Sequence, residues 1–398
     1  MAGLFSEPDY LRLWIAGTIS SAVRWLDALA FSVIAYQQSS SAFTVAMLMM
    51  LRLLPMGLFG AFVGVLAERV QRRSILLGVI IGMCVTSLAL AILAATGQLA
   101  IWHLAAASFL NGIGWLSDST VRRLTLGEVV GSERVSAAVS FDSASANASR
   151  MLGPTAGGLL LVTVGVAGAF ALGALLYFAA ALALSGLRYR NQILAAGGPS
   201  TLARILGGVH LVRRDPRLVG VLAITMIFNL FGWPATSMVP VLAQGPLGLG
   251  TEATGLLVSM DGLGALVASL LIGARARPGS HGRLFVGGAL LYFLMQILLA
   301  ASPYPWLAAT AVAMTGVAAA GFGIMQTTLI YLAAPAEMRS RVFGVLTACI
   351  GVGPIGFIHL GLLADAIGAP WATALSGLEG LLVLLLLRRF WQPLLATR

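Results

Sequence analysis

The chain reads as an all-α integral membrane protein of twelve transmembrane helices in two pseudo-symmetric six-helix bundles. Three observations predict this: twelve apolar runs of spanning length, arginines gathered in every second gap between them, and one long polar connection at the midpoint. About twenty apolar residues cross the hydrocarbon core as a helix. In lipid the backbone must satisfy its hydrogen bonds internally, so repeated runs imply a helical bundle. Composition excludes a soluble protein, because only 10% of the 398 residues are charged and 59% are hydrophobic. Soluble domains carry about a quarter charged residues.

The runs predict spans over 13–36, 43–67, 74–96, 99–121, 135–163, 166–187, 217–243, 252–274, 283–301, 304–333, 340–366 and 369–387. Arg12 precedes the first span, and Arg69, Arg72 and Arg73 fill the second gap. Arg122, Arg123 and Arg134 mark the fourth gap, Arg188 to Arg217 the sixth, Arg275 to Arg283 the eighth, and Arg339 and Arg341 the tenth. The odd-numbered gaps hold none. Basic loops stay on the cytoplasmic side, so both termini are expected there, in a bacterial inner membrane.

The sixth gap is the longest and contains the soft stretch Ala195-Ala196-Gly197-Gly198-Pro199-Ser200. The expected organisation is a bundle over 1–190, a cytoplasmic linker over 191–216 and a second bundle over 217–398. Gly153-Pro154 in span 5 recurs as Gly353-Pro354 in span 11. A parallel repeat with a midplane site at its seam is a known transporter plan.

Several function classes fall away. The net charge of +10 sits in short loops beside apolar runs, which argues for the bilayer and against nucleic acid. Cys84 and Cys349 lie inside apolar runs, and His103, His210, His281 and His359 have no ligand spacing, so no disulfide, metal or other cofactor is expected. All 24 basic residues are arginine, and a chain without lysine cannot form a Gly-x-x-x-x-Gly-Lys phosphate loop. No nucleophile–base arrangement supports an enzyme.

The second gap reads Gly64-Val65-Leu66-Ala67-Glu68-Arg69-Val70-Gln71-Arg72-Arg73. It resembles the loop signature of the major facilitator superfamily, with Glu68 where Asp is usual and Gln71 in place of Gly. The resemblance implies the major facilitator fold. It also implies a cytoplasmic gate in which Glu68 braces the first turn of span 11, near Ser340, where a helix dipole favours a carboxylate. An ordinary charged turn is the other reading. Span 5 carries Gly153-Pro154-Thr155-Ala156-Gly157-Gly158, which resembles the Gly-Pro-x-x-Gly-Gly motif of facilitator antiporters that export their substrates. That likeness implies a tight hinge between spans 5 and 8, although plain packing of small residues explains the glycines equally well.

Arg339-Ser340-Arg341-Val342-Phe343-Gly344, Gly361 to Asp365 and the opening Tyr10-Leu11-Arg12-Leu13-Trp14 are similar to the facilitator subgroup of the enterobactin exporter and related drug exporters. The likeness covers nearly the whole chain. One departure touches coupling: that subgroup commonly has Gly-Asp before Trp in span 1, whereas Val23-Arg24 precedes Trp25 here and the acid comes at Asp27.

Ionisable groups inside spans are costly and mark pathways or sites. Here they are Arg24, Asp27, Arg52, Asp118, Asp142 and Arg150 in the first half, and Asp261 and Glu379 in the second. At about 1.5 Å per residue, Arg24 and Arg52 fall near mid-membrane. Arg24 and Asp27 share a helix face at a spacing that allows pairing. The cluster either couples protons to substrate or is a static ion pair fixing spans 1 and 2. Asp142 is expected at an inner gate, Asp118 in a local network with Arg122 and Arg123, and Asp261 against Arg150 across the seam. His103 and His359 are expected to be packing residues. The reading is a monomeric secondary transporter that exports a small amphipathic or anionic molecule, siderophore- or drug-like, with protons as coupling ion. An importer of a small solute or metal chelate and a non-transporting scaffold or sensor are the rivals.

Overall fold

The computed structural model describes residues 5–131, 134–191, 210–275, 278–335 and 339–395, so most of the expected linker over 191–216 lies outside the described residues. Spans 1 to 3 are Pro8–Ser39, Ala42–Arg69 and Arg72–Ala95. Span 4 runs as an α-helix over Ile101–Ser117 and ends in a π turn at Asp118–Arg122; a short helix over Arg123–Val130 continues the chain into the fourth gap, beyond the membrane-spanning segment. Spans 5 and 6 are Val135–Thr163 and Gly165–Ser185.

Span 7 changes register along its length, from Pro216–Ile227 through a π turn at Phe228–Gly232 and a 3₁₀ turn at Trp233–Ser237 to Met238–Gln244. Spans 8 to 10 are Thr251–Arg275, His281–Ala300 and Pro305–Ala333. Span 11 comes in two pieces, Arg339–Ile350 and Gly353–Ile367, and span 12 is Ala369–Leu386, followed by a short helix over Arg388–Leu395.

Among the described residues, ten helical segments are long and apolar enough to cross a membrane. Spans 4 and 5 are not among them. The regular α-helix of span 4 has only 17 residues before its π turn, and span 5 carries Asp142, Asn147 and Arg150 along its first half.

Local chemistry sets the helix ends. Asp215 caps span 7 by accepting the Arg217 N–H at 2.8 Å, with Pro216 at the first helical position, where its missing N–H costs nothing. Gly368, at φ 87°, makes the one-residue turn between spans 11 and 12 in a region closed to most L-residues. The two Gly-Pro pairs behave differently. Pro154 sits inside an unbroken helix, whereas Pro354 starts a new one after the break at Gly351-Val352. Glycine on both sides of Val352 leaves the backbone free to depart from the helix, and proline then restarts it.

Contacts divide the chain into two compact units. Unit 1 comprises Met1–Gln38, Leu51–Gly197 and Thr251–Gly255; unit 2 comprises Ser39–Met50, Gly198–Gly250 and Leu256–Arg398. In unit 1, span 3 packs on spans 4 and 6, over a core that includes Leu76, Ile80, Met83, Leu116 and Leu184. In unit 2, span 9 packs on spans 10 and 12. Its core is aromatic: Phe228 stacks on Phe322 at 4.1 Å, and Phe322 stacks on Phe285 at 5.0 Å.

Large apolar side chains also cover the outside, as a bilayer requires. Leu182, Leu270 and Leu386 are exposed. Trp102, Trp306 and Trp371 stand exposed at the first turns of spans 4, 10 and 12, where amphipathic rings sit at a membrane–water boundary.

Candidate functional site

The charged residues of spans 1, 2, 4 and 5 converge inside unit 1. Asp27 is 3% exposed and accepts a hydrogen bond from Asn111 Nδ2 at 3.1 Å. Its charge interacts with that of Arg52. Arg52, also buried, donates from Nη2 to the Arg24 carbonyl oxygen at 3.0 Å.

Two indoles separate the cations. Arg52 lies over the rings of both Trp25 and Trp115, at 5.8 and 5.5 Å from their centroids. Arg24 lies over Trp115 and Arg150 over Trp25, each at 5.7 Å. The order Arg150, Trp25, Arg52, Trp115, Arg24 thus alternates cation and π face. Ring quadrupoles attract each guanidinium and hold apart three like charges that share a poorly solvated space. Sequence reading placed the arginines but missed Asn111 and the part played by the two indoles. The available signal was spacing: Asn111, Trp115 and Asp118 recur at four and three residues on one face of span 4.

The expected Arg24–Asp27 pair is not the one that forms. Among the described residues, Arg24 Nη2 reaches Asp118 at 3.7 Å, while Asp27 is held by Asn111. Long side chains on a helix lean toward its N-terminus, so Arg24 swings away from Asp27, which lies one turn further on.

Asp118 opens a second, deeper network. It pairs with Arg122 one turn along the π segment, and Arg122 Nη1 donates to Asp142 at 2.6 Å. Asp142 also lies 3.4 Å from Arg123, whose side chain is half exposed. A ladder of opposite charges therefore runs from Arg24 to the end of span 4.

The second gap joins a third cluster. Arg72 donates to Glu128, which also accepts the Tyr189 hydroxyl, and the Arg72 N–H donates to Asn191 Oδ1 at 2.9 Å. Arg73 bonds the Ser185 carbonyl. Burial pushes the Glu128 carboxyl up, but the hydrogen bonds from Tyr189 and Arg72 and the Arg72 charge outweigh it and hold the group below the usual range. Burial and the Glu128 carboxylate push the Tyr189 hydroxyl up to about 12. The side chains of Glu68, Arg69 and Ser340, and the surroundings of Gly64, lie outside the described residues.

The glycines of span 5 serve two contacts. A Cβ at Gly153 would lie 2.6 Å from Trp25 Cβ, and one at Gly157 3.3 Å from Leu26 Cα, so this face seats span 1. A Cβ at Gly158 would lie 2.9 Å from the Thr251 carbonyl oxygen and 3.3 Å from Gly255 Cα, so the next face seats the first turn of span 8. Pro154 stands between the two seats.

In unit 2, Asp261 sits where span 8 meets span 10 backbone to backbone, its carbonyl against Gly316. His359 Nε2 and Glu379 Oε2 lie 2.7 Å apart on spans 11 and 12, so His359 has a specific partner rather than plain packing. Asp365 accepts the Ser41 hydroxyl and the Phe43 N–H, each at 3.1 Å, which caps span 2. Among the described residues, no group of three or more His, Cys, Asp or Glu could hold a metal ion.

The sequence profile of the transmembrane secretion effectors matches residues 4–396. The MFS-type transporter YfiS of Bacillus subtilis is 26% identical over 94% of this chain and 90% of its own length. Macrolide efflux protein A of Streptococcus pyogenes is 21% identical, with 92% of each chain covered. The enterobactin exporter EntS of Shigella flexneri is 27% identical over 83% of this chain and 80% of its own. Among solved structures, a POT family transporter superposes with a TM-score of 0.78 at 12% identity, covering 97% of this chain and 96% of that one. The nucleoside transporter NupG superposes at 0.76 and 13% identity, covering 96% and 99%. The architecture is the major facilitator fold.

Proposed function

The chain belongs to the transmembrane secretion effector family of the major facilitator superfamily, a group of multi-pass secondary transporters and not enzymes, and we propose that it is a proton-coupled exporter. Its cargo on this reading is a small amphipathic or anionic molecule of the siderophore or drug class. It works as a monomer in a bacterial inner membrane, with both termini in the cytosol. The relatives named for macrolide efflux and enterobactin export support this direction and class of cargo.

One observation carries the reading: Asp27 is a carboxylate 3% exposed inside a membrane unit, held by Asn111 and electrostatically coupled to Arg52. An intramembrane acid is expensive, and by default it marks a pathway or site. As a carboxylate, Asp27 offers a charged acceptor to a hydroxyl or amine of the cargo, while the planar fork of Arg52 holds a neighbouring cargo oxygen. A proton on Asp27 removes that negative acceptor and weakens the hold on the cargo. Loss of the proton restores it. Proton and cargo thus compete for Asp27, which is the minimal requirement of antiport. The Trp25 and Trp115 faces stabilise the cation in both states.

The coupling is also carried by the fold. Spans 5 and 8 close on Gly158 and Gly255 without intervening side chains, so a rocking motion keeps a tight seam there. The Glu68 loop and Asp142 serve the cytoplasmic side of the cycle.

The test is accumulation of a labelled macrolide or catecholate siderophore in everted membrane vesicles under an imposed pH gradient. Accumulation that a protonophore abolishes is the expected result. Uptake indifferent to the gradient rejects proton coupling, and gradient-driven loss from preloaded everted vesicles rejects export.

A further inference from the structure

Unit 1 contains a cavity of its own, bounded by spans 1, 3, 4 and 6. Its water-accessible volume is about 30 Å³, room for about two water molecules. Span 3 supplies an apolar wall of Leu76, Ile80 and Met83, while Ser20, Arg24, Asn111, Asp118, Arg122 and Tyr177 supply the polar one.

Two features mark this space as built for water. Asn111 is 2% exposed and spends its amide N–H on Asp27, and its Oδ1 has no hydrogen-bond partner among the described residues. Asp27 Oδ1 likewise has no partner among the described residues, and Asp27 meets the cavity through Asn111, which lines it. Buried polar atoms are satisfied by protein or by ordered water, and a polar cavity of this kind takes water where an apolar one stays dry. The π turn at Asp118–Arg122 is the second feature, since such bulges frequently interrupt helices at functional sites. Here both ends of the turn, Asp118 and Arg122, line the cavity.

We infer that this cavity is a water-filled proton path within unit 1, joining Asp27 and Asn111 to the Asp118–Arg122–Asp142 ladder and so to the cytosol. The inference rests on the proposal that Asp27 carries the coupling proton. The charged and titratable groups that act on Asp27 are Arg52 from span 2 and Tyr177 from span 6. Further along the path stand Arg24, Asp118, Arg122 and Asp142.

In the transfer step the O–H bond of the Asp27 carboxylic acid breaks and its proton joins a water bridging Asp27 Oδ1 and Asn111 Oδ1 at the edge of the cavity. That water passes one of its own protons to the next, and the chain ends in hydronium at the cytosolic mouth. Asp27 is left as a carboxylate, and no other bond changes. Asp118 and Asp142, paired with Arg122, take no part in these bond changes and offset the arginines that would otherwise repel a moving proton.

The experiment follows hydrogen–deuterium exchange of the Asp27 carboxyl band by infrared difference spectroscopy on the full chain in lipid. Loss of the band in Asp27→Asn identifies it. Ser20→Leu fills the cavity with an apolar side chain, and exchange of that band is expected to slow by at least an order of magnitude. Should Ser20→Leu fail to fold, Ser117, which also lines the cavity, is replaced by Val, and the same slowing is expected. Exchange as fast as in the parent chain overturns the path while leaving the coupling proposal intact. Absence of a titrating Asp27 band at every pH overturns the coupling proposal, and the path with it.

Discussion

Asn111 donates its side-chain N–H to Asp27 across 3.1 Å, linking span 4 to span 1 where both residues are almost fully buried. A hydrogen bond to a charged group contributes about 1.5–3 kcal/mol, and a buried acceptor left without its donor loses more than the bond itself. Asn111→Leu therefore lowers the melting temperature of the purified protein in lipid nanodiscs. Adding Asp27→Asn to it recovers part of the loss, because no buried charge then lacks its donor. Equal melting temperatures for Asn111→Leu and the parent contradict this account.

Trp115 presents its ring to Arg24 and Arg52 at once. Each such contact contributes about 0.5–2 kcal/mol, more when desolvated. Trp115→Leu removes both faces while keeping an apolar side chain, and Trp115→Phe keeps a weaker face. Thermal melts should rank the three proteins Trp, Phe, Leu in falling stability. A Leu variant as stable as the Phe variant would show that the indole only fills space.

Gly158 is the point where span 5 touches the first turn of span 8. Its missing side chain matters because a Cβ there would lie 2.9 Å from the Thr251 carbonyl oxygen, a backbone atom that cannot swing aside. Overpacking of this kind costs about 1–3 kcal/mol. Gly158→Val is expected to cut transport several-fold and to raise passive proton leak in proteoliposomes, with Gly158→Ala intermediate. Close approach, rather than backbone freedom, is what the glycine supplies here. A Val variant that transports and seals normally would refute the contact's importance.

Glu128 provides a pH test outside the membrane. Its carboxyl is held below the usual range in the folded protein by Tyr189 and Arg72, against the upward push of burial. A depressed folded pKa means a stabilising contribution that is complete above the unfolded value of about 4.3 and lost as pH falls through the folded value. Tyr189 has the opposite sign. Its hydroxyl, pushed up to about 12, contributes below the unfolded value of about 10 and loses that contribution as pH rises between the two. Melting curves of the parent and Glu128→Gln should differ at neutral pH and converge in acid below about pH 4.

Hydropathy alone located nearly every span, because in a bilayer the length and apolarity of a helix are dictated by the solvent. Val135–Thr163 and Ala369–Leu386 fall where the runs predicted them within a residue. The irregular turns were not legible. Nothing in Asp118 to Arg122 announces a π turn, which depends on how span 4 meets its neighbours. Side-chain direction was the other blind spot. Spacing allowed Arg24 to reach Asp27, but the lean of a helical side chain sent it to Asp118 instead. The site residues themselves were visible because charge in an apolar run stands out, whereas Asn111 and Tyr177 look ordinary until their burial is known.

Asp27→Asn examined in proteoliposomes tests the central claim most directly. Two rates are compared: uptake of a labelled macrolide driven by a pH gradient, and exchange of the same compound across the membrane with no gradient. The variant is predicted to lose the first and keep the second, since exchange needs binding and rocking but no net proton movement. Gradient-driven uptake at the parent rate would contradict it.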